Sequence, residues 1–293
     1  MNTISEHLSI ILLTLPFAIL FPWLAWRKRL FSYPEKTLMH TQQIPLKYTI
    51  GAFLVFVGTQ LLIVPLITIA WFMLIGQQFF HHELVPADPG ANAWLNLFSI
   101  GCVAATLLGY YLALPKLIRQ SIWGAGTFKG FTHQIKSCVI GFLTWFASYP
   151  IVIVIGQIIA ILLLILFNTS PVNQVAVQQL KNTMNYPVQF FTLSLMIILI
   201  VPMIEEILFR GFLQNSIRQS YGRYKGILYS SIIFTLFHFS ISQGVRNIEI
   251  LSSLFILSLF LGFIYERQQS LWAPITLHAT FNGMSVVMLL IET

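Results

Sequence analysis

Charge is what this chain has least of. Of 293 residues, 9% are charged and 57% are hydrophobic, whereas soluble domains carry about 25% charged residues. That shortage excludes an ordinary water-soluble domain and indicates a polytopic membrane protein. Cysteine is nearly absent as well. Cys102 and Cys138 both lie at or near apolar segments and form neither a disulfide framework nor a CxxC metal motif, so they read as small apolar residues. No internal repeat, low-complexity tract or soluble domain interrupts the pattern. The net charge of +7 does not point to nucleic acid, because the basic residues are spread through short loops, where they set membrane orientation.

The first apolar run, Leu8 to Trp26, lacks the polarity of a cleaved signal. Met1 to His7 contains no Lys or Arg, and Arg27-Lys28-Arg29 follows the run. It reads as a retained helix with its N-terminus outside. Runs of about 20 apolar residues span a bilayer core, and the chain offers candidates at 8–26, 50–76, 94–114, 138–167, 188–213, 227–241, 250–265 and 271–291. The sixth and seventh, about 15 residues each, reach only about 22 Å against a core of about 30 Å. The hairpin 227–265 is therefore expected either as barely tilted helices in a thin membrane or as a wet, irregular pair. The expected fold is an all-α transmembrane bundle of about eight helices.

Threading these runs from an outside N-terminus tests the charges. Arg27, Lys28, Arg29, Lys36, Lys47, Lys116, Arg119, Lys129, Lys136, Arg218, Arg223, Lys225 and Arg267 fall inside, and only Lys181 and Arg246 fall in outside loops. That is a strong positive-inside bias. The polar stretches 27–49 and 115–137 are expected as cytoplasmic connectors, and 168–187 as an outer segment along the surface. His81-His82-Glu83 reads as a solvated outer loop tip, since three adjacent residues converge poorly on one ion.

What remains is a set of polar groups inside the last four runs. The fifth holds Glu205, Glu206 and Arg210, the sixth His238, and the eighth His278 and Asn282. Ionisable residues in a membrane segment are costly and point to function. Counted from the cytoplasmic loops, Glu205, His238 and His278 lie roughly 10–17 Å below the inner face, in one layer. Glu206 and Arg210, four apart, suit an ion pair that leaves Glu205 free; His278 and Asn282, also four apart, share a helix face. Pro202 removes a backbone hydrogen bond one turn before Glu205 and suggests a kink. The alternatives are a polar network that only holds helices together and a proton or ion path.

A Glu beside two His and an Asn can activate water and stabilise an oxyanion, which is amide hydrolysis without a protein nucleophile. Glu205, His238 and His278 are also a possible zinc set with water as fourth ligand. No HExxH, GxSxG or Gly-Asp signature offers another protease chemistry.

Glu205-Glu206-x-x-x-Arg210, Phe234-x-x-x-His238 and His278-x-x-x-Asn282 resemble, in order and separation, the motifs of the CAAX-processing and bacteriocin-processing (CPBP, or Abi) family of intramembrane proteases. The resemblance covers roughly residues 188–286. It implies a membrane endopeptidase with a cytoplasm-facing cavity and a membrane-associated protein or peptide substrate. Glu205 would activate water with help from His278, His238 and Asn282 would form the oxyanion pocket, and Glu206 and Arg210 would order the site. No cofactor is required if the family chemistry is of the glutamate type, and zinc if it is metal-dependent. The chain then divides into helices without a motif (1–187) and a protease core (188–293), in a multi-pass position in a bacterial inner membrane. The runner-up functions are a non-catalytic immunity or scaffold protein and a transporter. Transport predicts polar residues through both membrane halves, but in the outer half only Ser240, Ser242 and Ser258 stand out.

Overall fold

Where no water competes, a backbone must satisfy its own hydrogen bonds, so uncharged apolar runs become helices. A computed structural model describes residues 2–30, 32, 43–74, 89–169 and 175–291, and among them there is no β-strand. In chain order the helices are α1 (Asn2–Arg27), α2 (46–74), α3 (Pro89–Ala113), α4 (Lys116–Trp123), α5 (Phe131–Phe167), α6 (Val175–Asn182), α7 (Pro187–Tyr221), α8 (Arg223–Leu236), α9 (Asn247–Gln268) and α10 (Trp272–Ile291). Among the described residues seven segments are long and apolar enough to cross a membrane, in α1, α2, α3, α5, α7, α9 and α10. Large apolar side chains such as Leu12, Leu61, Leu166 and Phe191 face outward, as expected where lipid replaces water. The chain is an integral, multi-pass helical bundle.

The expected helices are present, several of them longer than their apolar runs, and two short helices, α4 and α6, add to them. The seventh is not short: α9 has 22 residues, about 33 Å of helix. Its polar ends hid its length, because Asn247 caps the preceding turn with its side chain while Glu266 is buried against arginines. The sixth is short as expected. α8 has 14 residues, about 21 Å, and the chain then passes through a turn and a 3₁₀ segment, Ile241–Arg246. The stretch 115–137 is no bare connector: α4 packs Ile118 and Ile122 inward, and α5 starts at Phe131, ahead of its apolar run. The outer stretch 168–187 contains α6, which buries Leu180. His81, His82 and Glu83 lie outside the described residues.

Polar side chains set the helix register. Arg210 reaches Ser258, Gln214 reaches the carbonyl of Gly262, and Arg218 reaches Glu266, a constant offset of 48 residues. α7 and α9 therefore run parallel. α8 returns between them, joined to α7 by Gly222, whose φ of 84° a side chain would resist. α10 runs antiparallel to α7, with His278 beside Glu206 and Asn282 beside Ile197. α5 and α10 approach closely at Gly141, where a Cβ would sit 2.3 Å from the carbonyl oxygen of Ala273. α1 lies antiparallel along α5, with Phe21 against Phe146 and His7 bonded to Gln157. The main core runs from Ile44 and Ala52 through Phe209 and Phe212 to Leu277 and Phe281. Packing thus crosses the line at 187/188 that separates the motif-bearing segment from the rest.

The connectors expected on the cytoplasmic side meet at one end of the bundle. Arg267 donates to the carbonyls of Arg29 and Ser32, Ile44 N–H donates to Gln219, and Gly126 and Leu271 link the α4–α5 and α9–α10 connections. With the basic residues gathered there, this end is predicted to face the cytoplasm. In a chain without Cys102 and Cys138, a cysteine at Ser5 or Ile291 should react with an impermeant reagent in intact cells. One at Lys129 should react only after permeabilisation. Labelling of Lys129→Cys alone in intact cells would overturn the orientation.

Candidate active site

The site is built on an irregular stretch of α7. Two π-helical segments, Met196–Ile200 and Ile207–Gln214, flank the short α-helical stretch Val201–Glu206 that contains Pro202 and both glutamates. Proline cannot donate a backbone hydrogen bond, and π-turns often mark functional sites. The expected disturbance at Pro202 therefore takes the form of a π-turn just before it. Glu205 and Glu206, being adjacent, point to different surroundings.

Glu206 is sealed. It and Arg210 are both fully buried, with Arg210 Nη1 3.0 Å from Glu206 Oε1. This is the ion pair the sequence spacing suggested. Arg210 Nη2 also donates to the Ser258 hydroxyl (2.7 Å) and carbonyl (3.1 Å) on α9. Its guanidinium lies 4.6 Å from the centre of the Phe234 ring, a cation–π contact. His278 Nδ1 is 2.8 Å from Glu206 Oε1. Glu206 thus joins α7 to α10, and Arg210 joins α7 to α8 and α9.

Glu205 is open. Its side chain is 17% exposed, and its two oxygens face two rings: Oε1 is 3.7 Å from His238 Nε2 and Oε2 is 3.6 Å from His278 Nε2. Three helical segments do bring Glu205, His238 and His278 to one place. His238 sits just beyond the end of α8, with Nδ1 2.9 Å from the carbonyl of Phe234. Both Nδ1 atoms face oxygen acceptors, so in the neutral rings each Nε2 presents a lone pair toward Glu205. A water donating to these nitrogens or to the carboxylate would sit among the three groups. Phe234, fully buried, packs against Phe209, His238 and His278 and carries the layer. Phe53 of α2 packs on Phe209 and Phe237, so a helix without a motif supports the rim.

Asn282 is not among these contacts. Its amide donates to the carbonyl of Ile197, 2.9 Å away on α7. Ser258, noticed in the sequence only as an outer-half exception, belongs to the polar layer. Its only sequence signal is the constant 48-residue offset, which becomes visible once α7 and α9 are known to be parallel. A second buried layer lies one to two turns further along. Gln214 donates to Glu266, which also meets Arg218 (3.3 Å) and Arg223 (3.6 Å). It ties both sides of the Gly222 turn to α9.

Two imidazoles and a carboxylate match a catalytic zinc set in donor type. The two ring nitrogens lie 3.7 Å and 3.6 Å from different oxygens of Glu205. Among the described residues no group of three His, Cys, Asp or Glu side chains could hold a metal ion.

Removing Arg210 leaves a buried, uncompensated carboxylate, a loss of roughly 3–5 kcal/mol. Arg210→Ala should lower both yield and the thermal unfolding midpoint in detergent. Ser258→Ala removes one hydrogen bond to the charged group and should cost less, about 1.5–3 kcal/mol. A well-folded Arg210→Ala protein with the wild-type midpoint would contradict the pairing.

Searches of curated proteins and of solved structures found no match. Residues 187–284 match the family model described as Rce1-like, type II CAAX prenyl endopeptidase. The match leaves the first 186 residues outside and takes in Glu205, Glu206, Arg210, His238, Ser258, His278 and Asn282. Across α7 to α10, then, the chain resembles the Rce1-like CAAX endopeptidases, in keeping with the CAAX-processing protease family that its motifs suggested.

Proposed function

We propose that this protein is an intramembrane endopeptidase that hydrolyses peptide bonds of membrane-associated proteins or peptides near the cytoplasmic face of a bacterial inner membrane. The observation that carries the reading is the division between adjacent carboxylates. Glu206 is sealed in an ion pair, whereas Glu205 is accessible and set between two imidazole nitrogens. Only an accessible carboxylate can meet water and substrate.

In the proposed reaction a water bound among Glu205, His238 and His278 attacks the scissile carbonyl carbon. Glu205 takes the water proton, with His278 accepting a hydrogen bond at Nε2 and holding the water in line. The new oxyanion is met by the Asn282 N–H not used by Ile197 and by the Nε2–H of His238, whose ring takes a proton from solvent in the reacting complex and returns it after collapse. Collapse breaks the C–N bond, and the proton on Glu205 passes to the leaving nitrogen. The products are a carboxylic acid and an amine, and transfer of the remaining water proton between them leaves a carboxylate and an ammonium. Glu206 and Arg210 touch no reacting atom; they fix the ring of His278.

Purified wild-type protein incubated with a membrane peptide library, read by mass spectrometry, should show new peptide ends. Glu205→Gln keeps the shape and removes the base, so the ends should disappear while substrate binding persists. Asn282→Ala should slow turnover by about a hundredfold or more, as for one lost oxyanion donor. Chelator treatment should leave the rate unchanged. Cleavage surviving in Glu205→Gln would reject the mechanism, and loss of cleavage on chelation, restored by zinc, would replace direct activation by metal catalysis.

A further inference from the structure

A proline and an asparagine on different helices are fitted to each other. In the π-turn before the glutamates, Val201 N–H donates to the carbonyl of Met196, an i to i−5 bond. The next bond in that register would run from residue 202 to the carbonyl of Ile197. Residue 202 is proline and has no N–H. A carbonyl left without a donor inside a membrane segment is costly. The Asn282 amide fills the gap at 2.9 Å.

We infer that Asn282 and Pro202 form a positioning pair, in which one amide N–H of Asn282 replaces the missing backbone donor and fixes the rotation and height of α10 against α7. His278 lies one turn earlier on the same face of α10. Anchoring Asn282 at Ile197 therefore sets where His278 Nδ1 meets Glu206 and where Nε2 faces Glu205. The two ends of this contact on α7 bracket Pro202, so the π-turn and the His278 geometry are held by one clamp. One amide N–H is committed to Ile197, and the other is free for substrate. The consequence for His278 rests on the hydrolase reading, but the pairing itself does not.

The pairing makes a reciprocal demand. With alanine at position 202, the backbone supplies its own N–H and the carbonyl of Ile197 no longer depends on α10. The experiment compares wild type, Pro202→Ala, Asn282→Ala and the double variant in detergent, by unfolding midpoint and by ¹⁵N imidazole shifts of labelled histidines. Asn282→Ala should lower the midpoint by several degrees in the wild-type background and by much less in the Pro202→Ala background. The hydrogen-bonded Nδ1 signal of His278 should be lost in Asn282→Ala and stay lost in the double variant, which restores the backbone donor but not the link from α10 to α7. If Asn282→Ala fails to fold, folding of the double variant carries the same message. An equal loss of midpoint in both backgrounds, a His278 signal unchanged in Asn282→Ala, or failure of both variants to fold overturns the pair. Neither readout uses turnover, so a wild type that cleaves nothing would sink the hydrolase reading and leave this test standing.

Discussion

The buried ion pair between Glu206 and Arg210 is the constraint on which the rest of the site depends. A carboxylate and a guanidinium removed from solvent must each satisfy their remaining bonding capacity, or the pair costs more than it returns. Here three other helical segments supply partners, while Glu206 Oε2 and Arg210 Nε stay buried without one. His278 of α10 donates to the carboxylate, Ser258 of α9 accepts from the guanidinium, and the Phe234 ring of α8 lies against its face. One buried charge pair thereby fixes the positions of four helices. The neighbouring Glu205, one residue away on α7, takes no part in these contacts and faces the accessible side with His238.

The same economy extends along α7. Its polar residues at 210, 214 and 218 each find a partner on α9 at the same offset, so two parallel helices are zipped by side chains rather than by apolar packing alone. Parallel neighbours require a return between them, and α8 provides it as a short helix whose end carries His238. Had α8 run the full thickness of the membrane, His238 would sit inside a regular helix. Instead it follows the last turn, where its ring nitrogen reaches the carbonyl of Phe234 and the ring turns toward Glu205. A helix too short to span is thus the means by which a histidine is delivered beside Glu205.

Much of this could be read in the sequence, and the reasons differ from residue to residue. Apolar runs announced the helices because lipid imposes length and composition at once. The Glu206–Arg210 pair was legible because four residues is one helical turn. Glu205, His238 and His278 were placed in one layer by counting rise from basic loops, and they meet within 3.7 Å. The true length of α9 was hidden by its polar ends, since Asn247 and Glu266 look like loop residues until their buried partners are known. α4 and the first turns of α5 were hidden because a short interfacial helix needs only two or three buried apolar residues. Ser258 and the carbonyl of Ile197 were not legible, because both act through a register between helices that the chain does not spell out. The contact from Asn282 to Ile197 shows that a residue can share a face with His278 and still be held by a different part of α7.

The central claim is that two adjacent, chemically identical carboxylates do different jobs: Glu206 holds the helices and Glu205 meets water. Thermal unfolding of Glu206→Gln and Glu205→Gln, measured side by side in the same detergent, tests it most directly. The account predicts a clear drop in midpoint for Glu206→Gln, which leaves the Arg210 cation without its counter-charge, and a midpoint near wild type for Glu205→Gln. Equal losses in the two variants, or a larger loss for Glu205→Gln, would contradict it.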